Sequence, residues 1–224
     1  MRDADGISLM RFSSLQQAAA RKGLFFRSAI ILALFFSLVF GSALRAQETV
    51  VTLNPAHTEI NFTLGATMHT VHGTFKLKRG EIRFDSATGK AGGAIVVDTT
   101  SGDTGNSGRD SKMHKEILES QKYPEAVFTP ATVKSKTPGI IPAQGTSQVD
   151  VSGVFRLHGQ DHEMTLTFSV SKDAGAELQA STQFQIPYIQ WGLKSPNTFL
   201  LHVSDTLDME VHAKGQVSAA VPHP

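Results

Sequence analysis

The sequence predicts an all-β, antiparallel domain of about eight or nine strands, a number that suits a small barrel. Two observations predict it. Apolar and polar residues alternate with period two over long stretches, and short turn-forming segments separate those stretches. Such alternation is typical of strands that bury one face and expose the other. One segment has the composition of a helix instead.

Six rows of alternating residues predict the principal strands. In chain order they cover residues 60–64, 71–77, 149–157, 164–170, 178–186 and 207–213. Shorter runs at 81–85, 94–99 and 126–133 complete the count. Within each row the apolar side chains share one face, because successive side chains of a strand point to opposite sides. We therefore expect these faces to form the interior.

One hairpin can be assigned a register from the sequence. Gly159 followed by Gln160 suits a two-residue type II′ loop, which favours glycine at its first central position. This loop would place apolar residues opposite each other on the buried face and opposite charges together on the exposed face. The predicted pairs are Phe155 with Met164, Gly153 with Leu166, Val151 with Phe168, Arg156 with Glu163, and His158 with Asp161.

Residues 109–120 predict a short helix over one end of the barrel. They contain good helix formers and a narrow apolar stripe, and Tyr123-Pro124 follows them. The preceding residues, 99–108, are polar and predict a turn. Residues 134–147 predict a loop, and residues 219–224 a loose tail.

The N-terminus has the pattern of a secretory signal peptide. The apolar run 29–40 follows Arg21, Lys22 and Arg27, and small residues come after it. Twelve helical residues span only about 18 Å, against roughly 30 Å for the hydrocarbon core of a bilayer. We expect residues 1–46 to be a leader cleaved after Ala46, or alternatively after Ala43; the other interpretation of the apolar run is an uncleaved membrane anchor. The mature protein is then periplasmic or secreted, without stable membrane insertion.

Composition narrows the possible functions. Removal of residues 1–46 takes away six Lys/Arg and two Asp/Glu and leaves a formal charge of −3, which argues against a nucleic-acid partner. The absence of cysteine excludes thiol chemistry and thiolate zinc sites. An exported domain without disulfides has to be stabilised by its core alone.

No motif predicts catalysis, a cofactor or a metal. The sequence lacks a nucleophile elbow, a phosphate loop and a dinucleotide fingerprint. His69 and His72 are three residues apart and would lie on opposite faces of a strand. We therefore expect a protein that is not an enzyme and has neither catalytic nor metal-binding residues.

Periodicity alone leaves the interior undecided. Large apolar residues share their rows with Gly73, Gly153, Ala180 and Ala213. A barrel of about eight strands is either filled by side chains or wide enough for one small ligand. The small residues could leave space for a slender ligand, or they could ease the coiling of strands around a filled core.

Several segments resemble one known family in the same order along the chain. They are residues 101–130 (SGDTGNSGRDSKMHKEILESQKYPEAVFTP), 57–85, 151–168 and 191–215. Together they are similar to the YceI-like family of bacterial periplasmic proteins. The resemblance implies a lipocalin-like barrel of eight antiparallel strands over residues 47–218, with a polyisoprenoid or isoprenoid quinone in an elongated internal pocket. It also implies a role in transport, storage or stress, and a possible homodimer.

Face parity then predicts the residues that contact the lipid. They are Phe62, Leu64, Phe75, Leu77, Phe84, Val97, Phe128, Phe155, Leu157, Leu166, Phe168, Phe184, Trp191 and Phe199. The family often carries Arg-x-x-Phe-Gly where this chain has residues 188–192, so the pocket mouth differs there. Two other hypotheses remain: a hydrolase or other enzyme acting on an amphiphilic isoprenoid, and a filled barrel with a structural or interaction role.

Overall fold

The structure is a computed structural model that describes residues 48–219, except 68, 137–138, 144, 173–176, 198 and 200. Nine strands and one helical segment account for most of these residues. In chain order the strands are β1 Glu48–Leu53, β2 Glu59–Leu64, β3 Val71–Asp85, β4 Ala91–Asp103, β5 Glu125–Ser135, β6 Thr146–Leu157, β7 Gln160–Lys172, β8 Glu177–Ile186 and β9 Leu207–Ala219.

The strands close into an antiparallel barrel with eight strand positions. Strands β1 and β2 both pair with β3 and with β9, and a 3-10 turn at Pro55–His57 separates them. They are therefore two halves of one position in the barrel. The remaining strands pair in sequence order from β3 to β9, so the predicted eight-stranded all-β fold is confirmed. Among the residues described, no strand position therefore lies at an outer edge of the sheet, and β7 pairs with β8 over residues 169–172.

Strand β3 joins two rows that the sequence analysis treats as separate. Its pairing with β4 is irregular between Thr74 and Lys76 and again between Leu77 and Arg79. A bulge inserts one extra residue and changes which positions face inward. The inward residues are consequently odd-numbered up to Leu77 and even-numbered from Ile82, which makes one strand look like two in the sequence.

Strand β4 continues into the polar segment that predicts a turn. It extends to Asp103, which pairs with Thr74 of β3. At the nearby irregularity the Ser101 hydroxyl accepts a hydrogen bond from the Lys76 backbone N–H at 2.8 Å. A serine side chain thus replaces a backbone carbonyl in the ladder, and the prediction of a turn over residues 99–103 is wrong.

The β6–β7 hairpin has a register two residues away from the predicted one. Its turn is His158-Gly159, with φ of 52° and 79°, as in a type I′ turn, which needs positive φ at both positions. The predicted type II′ loop and its pairs are therefore wrong. The observed pairs are Arg156 with Asp161, Phe155 with His162, Gly153 with Met164, Val151 with Leu166 and Val149 with Phe168. A shift of two residues leaves every side chain on its predicted face.

The predicted helix is present with different bounds. Helix α1 covers Ser107–Lys112 and continues as a π-helical turn, Met113–Ile117; we call these two segments the helical cap. The Asn106 side chain accepts a hydrogen bond from the Arg109 N–H at 3.0 Å, which is the usual way of starting a helix.

Two further predictions lie mostly outside the described residues. These are the leader, residues 1–46, and the tail, of which only Ala219 is described, as the last residue of β9. Among the residues that the structure describes, no helix has both the length and the hydrophobicity needed to span a membrane.

Candidate functional site: an internal apolar cavity

The barrel encloses a cavity of about 580 Å³. Ligand pockets in proteins range from about 300 to 1,000 Å³. Residues from all nine strands and from the helical cap line the cavity, and nearly all of them are apolar. Side chains therefore do not fill this barrel from end to end, and its interior offers space to an apolar ligand.

Twelve of the fourteen predicted contact residues line the cavity. These are Phe62, Leu64, Phe75, Leu77, Phe84, Val97, Phe128, Phe155, Leu157, Leu166, Phe168 and Phe184. The other two lie elsewhere. Trp191 stacks on the His162 ring at 4.0 Å between centroids, and Phe199 is 96% exposed.

The cavity wall also includes residues that the face-parity argument did not select. The helical cap and the residue after it contribute Met113, Ile117 and Leu118, which form the narrow apolar stripe noted in the sequence. Ile140 and Ile141 come from the β5–β6 connection. Adjacent isoleucines in a polar loop are a signal of burial, but alternation does not detect it because they belong to no strand.

The small residues of the inward rows have two different roles. A Cβ atom on Gly73 would lie 2.3 Å from the Phe62 ring, and one on Gly153 would lie 2.2 Å from the Thr129 carbonyl oxygen. These glycines therefore permit close packing and do not create the cavity. Ala180 and Ala213, by contrast, line the cavity and pair directly across β8 and β9. Their short side chains leave space in the wall.

The two ends of the cavity differ chemically. The connections β2–β3, β4–β5, β6–β7 and β8–β9 meet at one end, because the strands are antiparallel; this is the end with the helical cap, and we call it the cap end. His69, Arg109 and Lys112 line the cavity there, and no Asp or Glu appears in the described lining. Ile140 and Ile141 line the cavity at the opposite end.

As far as the structure describes it, the cavity wall is exposed to solvent at the cap end. Among its described lining residues, only His69 and Gly108 are exposed, and both belong to that end. The residues that line the opposite end, including Ile140 and Ile141, are half-buried or buried. A ligand would therefore reach the interior past the helical cap.

Hydrogen bonds hold the cationic residues of the cap end in place. Arg109 donates from Nε to the Thr104 hydroxyl at 2.8 Å and from Nη2 to the Thr104 carbonyl at 2.9 Å. Asp110 accepts from the backbone N–H of Thr104 at 2.9 Å. Lys112 Nζ lies 3.4 Å from the Pro196 carbonyl oxygen. The motif around Arg109-Asp110 thus organises the rim of the cavity.

His114 fastens the helical cap to the barrel. Its Nε2 donates to the Gly102 carbonyl of β4 at 2.9 Å, and its Nδ1 lies 2.9 Å from the Ser120 hydroxyl. Both ring nitrogens are therefore used in structural contacts. Within the described ranges, no group of three or more His, Asp or Glu side chains is arranged to hold a metal ion.

Tyr188 is a buried polar residue in the cavity wall. Its hydroxyl donates to the Ser204 carbonyl at 2.7 Å. Burial, with a smaller effect of the Asp205 carboxylate, raises the pKa of Tyr188 to about 12. The phenol therefore stays protonated at neutral pH and connects the segment after β8 to the segment that precedes β9.

Comparison with known proteins gives one family and several structural neighbours. The model of the YceI-like domain matches residues 51–215. A UPF0312 protein of Pseudomonas savastanoi pv. phaseolicola is 28% identical over 197 residues, covering 84% of this chain and 96% of its own. Protein YceI of Escherichia coli O157:H7 is 30% identical over 137 residues, covering 59% of this chain and 66% of its own.

Two solved structures share the fold at 18% sequence identity. One is a polyisoprenoid binding domain from Saccharophagus degradans implicated in plant cell wall breakdown, with a TM-score of 0.60 over 75% of this chain and 98% of its own. The other is Burkholderia cenocepacia BcnA, with a TM-score of 0.57 over 74% of this chain and 99% of its own.

Proposed function

Because this chain belongs to the YceI-like family, we propose that it is an exported binding protein that carries a polyisoprenoid or an isoprenoid quinone, with the prenyl chain inside the barrel. A structural neighbour is described as a polyisoprenoid binding domain. The family and the fold support binding of a lipid, and the choice of an isoprenoid is our proposal.

The observation that carries the proposal is the long apolar cavity. Burial of each CH₂ group stabilises a complex by about 0.8 kcal/mol, so a chain of several prenyl units gains enough to offset the entropy lost on binding. A prenyl chain is slender, and the paired alanines Ala180 and Ala213 leave room along the wall. Selectivity would then come from the length and width of the cavity.

The polar head of the lipid would lie at the cap end. The cavity opens there, and His69, Arg109 and Lys112 are the charged or titratable groups at that opening. A head group at the opposite end would face Ile140 and Ile141 and lose its hydration without compensation. The prenyl chain would therefore enter tail first.

The two other hypotheses fit the cavity less well. A filled structural barrel is opposed by a free volume of about 580 Å³. An enzyme would need a positioned acid or base. The described lining contains no carboxylate, and its titratable or cationic side chains, His69, Arg109 and Lys112, are confined to the cap end. The Tyr188 hydroxyl is engaged with the Ser204 carbonyl.

The test is to express the full chain in a bacterial host and identify the lipid that co-purifies with it. We expect the protein in the exported fraction with an N-terminus at Gln47 or Leu44, and a prenyl lipid in its organic extract by mass spectrometry. Protein that stays in the cytoplasm with an intact leader would contradict export. An extract free of isoprenoid, followed by no uptake of decaprenol or ubiquinone-10 in vitro, would contradict the ligand.

A pair of variants makes this test specific to the cavity. Ala213→Phe places a ring inside the cavity and should abolish lipid uptake. Gln179→Phe adds the same ring to the outer face of β8, because Gln179 is exposed and its neighbour Ala180 faces the cavity. This variant should leave uptake unchanged. Equal uptake by both variants would show that the lipid binds elsewhere.

A further inference from the structure

An aromatic side chain lies exposed next to the opening of the cavity. Within the described ranges, Phe199 is the large hydrophobic residue that is fully exposed, at 96%. Scattered exposed apolar residues are ordinary, so its position is what matters. Pro196 and Leu201, on either side of it in the chain, both line the cavity. Two or three residues span at most about 10 Å, so Phe199 lies at the cavity mouth.

We propose that the cap end docks on the surface of a bilayer that contains anionic lipid, with Phe199 inserted among the lipids, and that the prenyl chain passes between bilayer and cavity at this contact. This inference rests on the proposed function, because it assigns the membrane as the source or destination of the lipid. It concerns a surface outside the cavity that lipid binding itself does not require.

The segment that carries Phe199 is anchored on both sides. On one side Lys112 Nζ contacts the Pro196 carbonyl, and Asn197 Oδ1 accepts from the Val203 N–H at 2.6 Å. On the other side Thr67 and His202 exchange hydrogen bonds of 2.9 and 3.1 Å. The described residues before and after Phe199, Asn197 and His202, are therefore held in place by hydrogen bonds, which suits the presentation of Phe199 to an interface.

Charge at the opening favours a surface with anionic lipid. Arg109, Lys112 and His69 line the cavity there, and Lys194 is exposed at the start of the same loop. Asp103, Glu116, Asp161 and Asp205 are also exposed at this end, so the attraction is local to the mouth and does not extend over the whole end. Lysine and arginine beside an exposed aromatic residue form the usual pattern of a protein segment that lies in a membrane interface.

Docking would remove the aqueous step from lipid transfer. A prenyl chain that leaves the cavity into water exposes its whole apolar surface. If the mouth is in contact with the bilayer, the chain moves from one apolar environment to another. Transfer should then speed up as the concentration of acceptor vesicles rises, because collision with a vesicle becomes the limiting step.

The test measures vesicle binding and lipid transfer separately. Vesicles of phosphatidylcholine, with or without phosphatidylglycerol, are sedimented with the protein, and transfer is followed with fluorescently labelled geranylgeraniol. We expect Phe199→Ser to reduce both vesicle binding and transfer rate roughly tenfold, because burial of a phenylalanine is worth about that factor or more. Uptake of the probe from detergent micelles should be unchanged.

Two variants with the same charge change serve as a matched pair. Lys194→Glu, at the mouth, should weaken binding only to vesicles with phosphatidylglycerol. Lys90→Glu lies in the β3–β4 connection at the opposite end and should have no effect. Phe199→Trp should retain docking, since tryptophan also partitions into the interface.

The outcomes separate this inference from the proposed function. If Phe199→Ser sediments with vesicles and transfers the probe like the unmodified protein, the docking surface is refuted while lipid binding stands. If the unmodified protein fails to take up the probe from micelles, the proposed function fails, and sedimentation still decides whether Phe199 contacts membranes.

Discussion

At the scale of single residues, Gly153 shows how closely the barrel wall is packed. It lies in β6 opposite Pro130, where the pairing of β5 with β6 becomes irregular. The position of a Cβ atom on Gly153 would be 2.2 Å from the Thr129 carbonyl oxygen and 2.9 Å from the Pro130 Cα. Backbone atoms on a paired strand cannot move aside as a flexible side chain can.

We therefore expect Gly153→Ala to lower the free energy of unfolding by roughly 1–3 kcal/mol, the range typical of overpacking. The matched control is Gly92→Ala in β4, where a Cβ atom would meet nothing within 4 Å; it should be neutral or stabilise the protein by up to about 1 kcal/mol. Urea denaturation of both variants provides the measurement. Equal effects at the two positions would refute the close approach of β5 and β6.

At the scale of elements, the β6–β7 hairpin carries an exposed ion pair that its observed register creates. Arg156 donates to both carboxylate oxygens of Asp161, at 2.6 and 2.9 Å. These hydrogen bonds hold the pKa of Asp161 below its usual value, against the opposing effect of desolvation. Glu163, which the alternative register would place opposite Arg156, pairs with Val154 instead.

This pair predicts a pH dependence of stability. A carboxyl group whose pKa is lowered by folding stabilises the folded state above its unfolded pKa of about 3.9, and this contribution is lost as pH falls through the folded pKa. Asp161→Asn should therefore lower the free energy of unfolding at neutral pH. The difference in this free energy between the variant and the unmodified protein should shrink as the pH falls from about 5 toward 3.

The control for this pH dependence is Glu163→Gln, two residues further along β7. The difference in the free energy of unfolding between Glu163→Gln and the unmodified protein should change little over the same pH range, as measured by urea denaturation at each pH. If Glu163→Gln showed the stronger pH dependence, the hairpin would have the alternative register with Arg156 opposite Glu163.

At the scale of the whole molecule, the barrel combines closure with an open interior. Closure gives every strand position a neighbour on both sides, while the cavity leaves out some of the packing that would otherwise stabilise the core. A ligand that fills the cavity restores these contacts in the folded state only. Stability and lipid binding are therefore linked.

Lipid-loaded protein should consequently unfold at a higher temperature than protein stripped of lipid. With free lipid at a hundredfold excess over Kd, the expected gain is about 2.7 kcal/mol, a shift of several degrees in Tm for a domain of this size. Calorimetry of the two forms measures it. Ala213→Phe, with a filled cavity, should show no lipid-dependent shift, and a shift of equal size in that variant would contradict binding inside the barrel.

The alternation of residues determined which face of each strand points inward, and with it twelve of the fourteen predicted cavity residues. Alternation is a local property, and a register shift of two residues, as in the β6–β7 hairpin, leaves it intact. For the same reason it carried no information about which register is adopted. The bulge of β3 between Leu77 and Arg79 hid the continuity of that strand, because this extra residue changes the parity of the inward positions.

The tertiary structure decided where non-strand residues lie and whether the barrel is hollow. Trp191 and Phe199 follow β8 in irregular chain, where no periodicity indicates a direction, and only folding places one against His162 and the other in solvent. The free volume depends on the side chains of all the strands together. Phe62 fills the space beside Gly73, while the space beside Ala180 and Ala213 remains open. A sequence lists these residues one by one, and only their packing in three dimensions determines the volume that remains.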